Sequence, residues 1–226
     1  MAEGYVVKAV PFVPDMAKLA ARVHLAPEQR PELEKMVEQA AAVACPKAFY
    51  RESFIEKREE ALVVVDGIGF NSRLLKTNLE QTYRVFPYVA TCGLELMEWA
   101  KSFNEDPLQQ YWADVIMESA LREATRALEQ DVQARFSPGK TATMNPGSLP
   151  DWPLSEQKQL FSLLGDADRT VGVRLTEDYL MIPLKSVSGI IFPTKTDYNN
   201  CRLCRRENCP GRRAPFDPEL YASRLG

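Results

Sequence analysis

The chain has 226 residues, 45% of them hydrophobic and 26% charged, with a formal net charge of −3. That length allows one domain or two small ones, and the charge gives no electrostatic footprint for nucleic acid. No apolar run reaches the length of a membrane span, and Met1-Ala2-Glu3-Gly4 opens no secretory signal.

In chain order, the sequence predicts a first strand over Tyr5–Pro11 and a short helix capped by Asp15 that ends near His24. His24 is the only histidine, which removes imidazole triads and multi-histidine metal sites; beside Pro27, it reads as a surface residue. A second helix starts at Pro27 or Pro31 and runs to Ala44. Leu33, Met36, Val37, Ala40, Ala41 and Ala44 form its apolar face, and Pro46 stops it. Ala61–Val65 is a β-branched strand. Asp66-Gly67-Ile68-Gly69 then reads as a turn into a helix over Ser72–Gln81, with Ser72 as cap. This Gly-x-Gly has neither the third glycine of a dinucleotide loop nor the lysine of a P-loop.

Val85–Thr91 is a strand closed by Cys92-Gly93, Leu94–Phe103 a short helix, and Pro107 to Phe136 the longest helix. Lys140–Pro153 is rich in Pro, Gly, Ser and Thr and reads as a loop. A helix from Ser155 through Leu164 follows. Val171–Leu175, Tyr179–Pro183 and Ser188–Phe192 are then predicted as an antiparallel meander. Helices followed by strands make the expected class α+β, with helices packed on a mainly antiparallel sheet. The expected divisions are 1–105 (an N-terminal part of the same domain), 106–200 (the core) and 201–226 (a cysteine-rich tail).

The tail carries Cys201-Arg202-Leu203-Cys204-Arg205-Arg206-Glu207-Asn208-Cys209-Pro210, a C-x2-C-x4-C-P pattern. Thiolates this close together bind a metal or oxidise to one another. Five cysteines, three of them bunched, fit metal ligation in a reducing cytoplasm better than a disulfide framework. The Cys-Pro ending echoes ferredoxin motifs. A 4Fe-4S iron–sulfur cluster wants four ligands, and Cys92, in its tight turn, is the expected fourth beside Cys201, Cys204 and Cys209. The alternative is a structural zinc site. Arg202, Arg205, Arg206, Arg212 and Arg213 surround the cysteines. They read either as a solvated tail or as cations that lower thiolate pKa, offset the charge of a thiolate-ligated cluster or dock an acidic partner face. Trp99, Trp112 and Trp152 are expected in the core or at an interface rather than in a cofactor box. Lys185, Ser186 and Ser188 either face a ligand or shape a turn.

Leu175-Thr176-Glu177, followed by Met181-x-Pro183-x-x-Ser186-Val187-Ser188-Gly189, and preceded by the Asn145-Pro146-Gly147 loop, resembles the activation domain of cobalamin-dependent methionine synthase. The resemblance covers 106–200 well and 1–105 loosely. It implies an activation-domain-like fold and a role in reductive reactivation of a corrinoid protein or cobalamin-dependent methyltransferase. The cobalamin would belong to that partner. The cysteine tail departs from the family domain, and an iron–sulfur cluster on it would pass that cobalamin an electron. It also implies S-adenosylmethionine contacts at Glu118, Gly147 and, by approximate position, Tyr198. Thr143 stands where the family has an arginine and Ser148 where it has a tyrosine, so the fork that would hold the cofactor carboxylate is missing. The alternative reading is a non-redox module that grips a corrinoid protein or S-adenosylmethionine, its tail pinned by zinc. A methyltransferase in its own right lacks support, since no Rossmann glycine loop is present.

Overall fold

The computed structural model describes residues 4–209 and 211–225. The strands are β1 Gly4–Val7, β2 Lys47–Arg51, β3 Ser53–Glu59, β4 Leu62–Val65, β5 Ile68–Asn71, β6 Arg84–Thr91, β7 Thr141–Met144, β8 Arg174–Leu175, β9 Met181–Ile182 and β10 Ser186–Pro193. The helices are α1 Met16–Arg22, α2 Arg30–Val43, α3 Arg73–Asn78, α4 Leu94–Ala100, α5 Pro107–Phe136, α6 Gln157–Leu164, α7 Ala167–Val171 and α8 Pro218–Leu225. The fold is α+β.

Strand β6 is the sheet's spine. β2 and β3 lie along one edge of it as a single broken strand: Lys47 pairs with Thr91, Tyr50 with Tyr88 and Ser53 with Val85, all antiparallel. β10 lies along the other edge, Ser186 opposite Thr91 and Ile191 opposite Phe86, and β7 adds outside β10. β1 flanks β2, and β3-β4-β5 curls away as a meander. Because strand side chains alternate, the spine feeds two cores. Val85 and Val89 join Phe70, Leu75, Trp152, Leu160 and Leu203 on one face. Phe86, Tyr88 and Ala90 pack under Ala124, Leu128 and Val132 of α5 on the other. The N-terminal half of α5 leaves the sheet and joins α1, α2 and α4 in a third cluster around Leu33, Leu96 and Trp112.

Local chemistry explains the boundaries. Asp106 accepts from the Leu108 and Gln109 amides at 2.9 and 3.1 Å, Pro107 opens the first turn of α5, and Ser137 ends it in the left-handed region. Asp15 caps α1 and Ser72 caps α3, as their positions before apolar runs imply. His24 is exposed.

Three expectations change. Asp66-Gly67 does not lead directly into a helix. With φ of 44° and 80° it forms the two-residue turn of a hairpin, Val65 opposite Ile68, and α3 begins only after β5. The segment read as a loop over Lys140–Pro153 contains β7. The final meander is also absent: β8 and β9 pair only with each other, while β10 sits in the main sheet. Val171 closes α7, which Gly172 terminates at φ 72°.

Candidate functional site

The cysteine loop is built by hydrogen bonds rather than by regular secondary structure. Asn199 accepts from the Cys201 amide at 3.0 Å and starts a turn over Asn200–Arg202. Leu203, at the end of that turn, is buried in the core beneath. The Arg212 guanidinium then spans the loop. It donates to the carbonyls of Cys201 at 3.1 Å, Cys204 at 3.3 Å and Ala214 at 3.3 Å, and also to that of Arg206. Arg202 pairs with Asp217 at 2.5 Å, and Asp217 accepts from the Leu220 amide at the start of α8. Arg205 lies 4.0 Å over the Tyr221 ring. Three of the tail's arginines therefore have structural partners.

Cys201, Cys204 and Cys209 are all half-buried. The Arg213 amide donates to the Cys201 sulfur at 3.4 Å. Burial pushes that thiol up, but the Arg213 and Ala214 amides and the Arg213 guanidinium outweigh it and hold Cys201 below the ordinary thiol range. Among the tail's arginines, Arg213 is the one whose charge acts on this thiol.

Cys92 is not brought to this loop. It ends β6 on the far side from the tail, fully buried with Leu96 and Trp112, its amide bonded to the Lys185 carbonyl at 3.0 Å. β10 starts there and runs roughly 25 Å, at about 3.3 Å per residue, before the tail begins. Burial pushes the Cys92 thiol up to about 12, the opposite of what a thiolate ligand needs. Among the described residues, no three His, Cys, Asp or Glu side chains are grouped to hold a metal.

The residues implied for S-adenosylmethionine also separate. Glu118 pairs with Arg22 of α1 at 2.5 Å and with Arg122 at 3.7 Å, within the α1–α2–α4 side of the molecule. Gly147, at φ 79°, lies in the loop after β7, closed by its amide on the Trp152 carbonyl at 2.8 Å; a Cβ there would meet Leu154 at 3.0 Å. Tyr198 packs against Phe192 with ring centres 6.0 Å apart and donates to Asn200 at 2.6 Å. Burial raises its phenol above the ordinary range. Tyr198 and Gly147 both border the core that holds Trp152, whereas Glu118 does not.

Lys185, Ser186 and Ser188 have internal partners: Asp114 at 2.9 Å, the Pro183 carbonyl at 2.7 Å and Gln157 at 2.5 Å. They shape the start of β10. Gly189 has a sharper reason that the sequence does not reveal. A Cβ there would lie 2.3 Å from the Met144 carbonyl oxygen and 2.5 Å from the Asn145 amide nitrogen. Asn145 uses that space to donate to the Tyr88 hydroxyl at 2.8 Å and the Ser188 carbonyl at 2.7 Å. Asp151 secures the same loop from the other end, accepting from the Ser72 hydroxyl and, at 2.9 Å, from the Leu74 amide.

Two cavities adjoin the tail. One of about 750 Å³ is lined by Thr77, Asn78, Lys140, Thr194 and Arg224 among others. A smaller one of about 100 Å³ shares Asn78 and Arg224 and reaches Tyr198 and Leu203.

Residues 139–211 match the family model described as vitamin B12 dependent methionine synthase, activation domain. That stretch runs from β7 through the cysteine loop. Comparison with curated proteins gives no match. Among solved structures the chain is similar to "Crystal Structure of the MetH Reactivation Domain bound to AdoHcy". The identity is 16%, the TM-score 0.61, and the match covers 88% of this chain and 81% of that one. The fold is thus that of the activation domain.

Proposed function

We propose that this chain docks on a cobalamin-dependent methyltransferase or another corrinoid protein and serves in its reactivation. The observation that carries this reading is the coincidence of two likenesses. The sequence of 139–211 matches the activation-domain family, and the fold matches a reactivation domain over most of the chain. The partner supplies the cobalamin, and the setting is a reducing cytoplasm. No helix among the described residues is long and apolar enough to cross a membrane.

Direct S-adenosylmethionine binding lacks the arginine fork that the resemblance implies. The carboxylate-binding arginine is replaced by Thr143, which sits in β7 opposite Ile191, and Glu118 is already paired with Arg22. A four-thiolate cluster does not fit the arrangement either, because three thiols share the loop while Cys92 lies in another core. A metal on this loop would take at most Cys201, Cys204 and Cys209 from this chain. Anaerobic iron, zinc and sulfide analysis tests that part separately.

The docking reading is tested by titrating the protein into a methionine synthase cobalamin-binding module held as cob(II)alamin. A saturable change in the visible corrinoid spectrum, with faster reduction by a supplied reductant, is expected. An unchanged spectrum with no complex on gel filtration would overturn it.

A further inference from the structure

The loop that does not suit a four-thiolate cluster suits a different chemistry. Successive amides donate three residues back: Arg202 to Asn199 at 3.0 Å, Leu203 to Asn200 at 3.0 Å and Cys204 to Cys201 at 3.3 Å. In such a tight turn, side chains three apart eclipse one another, so Cys201 and Cys204 project from the same side. A turn closed in this way holds its ends within about 7 Å, Cα to Cα. Disulfides span about 4.4 to 6.8 Å between Cα atoms. The separation that this turn imposes therefore falls within the span of a disulfide. The turn is also fixed: Leu203 anchors it in the core, Asn199 caps it, and Arg212 clamps the carbonyls of both cysteines.

We propose that Cys201 and Cys204 form a thiol–disulfide exchange pair, with Cys201 the attacking sulfur and anionic low-molecular-weight disulfides its substrate class. Cys201 receives the Arg213 amide on its sulfur. Arg213 is exposed at that sulfur and Arg206 is exposed in the same loop, which favours a negatively charged disulfide over a neutral one. The Cys201 thiolate attacks one sulfur of the substrate, the substrate S–S bond breaks, and one thiolate leaves. The Cys204 thiolate then attacks the Cys201 sulfur of the mixed disulfide, and the second substrate thiolate leaves. One substrate disulfide is reduced to two thiols, and the protein dithiol is oxidised to one disulfide. The two protons lost by the protein thiols end on the released ones. Cys209 lies beyond the turn, past Asn208 at φ 48°, and is a bystander.

The inference stands on the loop alone and is independent of the corrinoid reading. The full-length protein is reduced, equilibrated in glutathione buffers of rising oxidised fraction, quenched with acid, alkylated and mapped by peptide mass. One internal disulfide, Cys201–Cys204, is expected, with Cys209 still alkylated. Cys204→Ser should accumulate a glutathione adduct on Cys201, and Cys209→Ser should behave as the parent protein. Absence of a disulfide, pairing through Cys209, or thiols that stay occupied by stoichiometric zinc or iron and do not exchange would each overturn the proposal.

Discussion

Gly189 is where a single residue decides the most. The Met144 carbonyl and the Asn145 side chain occupy the space its Cβ would take. Gly189→Ala must push β7 from β10 or expel Asn145 from Tyr88. A loss of about 1–3 kcal/mol is expected, as for overpacking generally, read from the urea midpoint at unchanged slope. The Ser-Val-Ser-Gly run is visible in the sequence as a resemblance, but its physical cause is not: the groups that exclude a side chain, on Met144 and Asn145, come from 45 and 44 positions earlier in the chain. Tyr50 gives a pH-dependent prediction. Its hydroxyl donates to Asp131 at 2.6 Å, and Arg135 donates to the same carboxylate at 2.8 Å. Burial alone would raise Asp131, but these two bonds and the Arg135 charge hold it below the ordinary carboxylate range. A carboxylate lowered on folding stabilises the protein above its unfolded pKa and loses that contribution as pH falls through the folded value. Tyr50→Phe should therefore move the acid-unfolding midpoint to higher pH, as followed by circular dichroism. An unchanged midpoint would show that Arg135 alone sets the carboxylate.

Among the elements, α5 is the most legible and has the widest reach. Its cap, its proline and its apolar stripe are all local signals, and the predicted span matches the observed Pro107–Phe136. The stripe serves two partners in turn, Trp112 and Ile116 toward the helices and Leu128 and Val132 toward the sheet. Leu128→Ala should cost about 2–5 kcal/mol, because a fully buried side chain would leave a cavity between helix and sheet. Thermal and denaturant unfolding both measure it. Other elements hide for identifiable reasons. β7, Thr-Ala-Thr-Met, alternates over only four residues inside a Pro-, Gly- and Ser-rich stretch and becomes a strand where β10 offers it an open edge. β3 alternates at its start, but its charged end, Glu-Lys-Arg-Glu, does not look like a strand; β4 supplies its partner. Cys92 falls in a turn, as the sequence implies, but nothing local says which end of β6 that turn occupies relative to the tail.

At the scale of the molecule, the tail belongs to the core rather than hanging from it. Leu203 is buried beside Trp152, and Leu220, Tyr221 and Leu225 pack against the same cluster. Leu203→Asp should release the segment from 199 onward. Limited proteolysis should then cut within the cysteine loop while α5 and the sheet remain protected, and alkylation of Cys201 and Cys204 should accelerate. If cleavage and alkylation are unchanged, Arg212 and the Arg202–Asp217 pair hold the loop without the buried anchor.

Asp217 has a consequence that reaches past the loop. One carboxylate binds Arg202 through one oxygen and heads α8 through the other. An eight-residue helix has little tendency to exist by itself in water. Asp217 thus couples the ordering of α8 to the cysteine turn. The last turns of the chain act as a built-in gauge: a spectroscopic probe on the exposed face of α8, at Ser223 for instance, would register rearrangement at Cys201 without touching a sulfur.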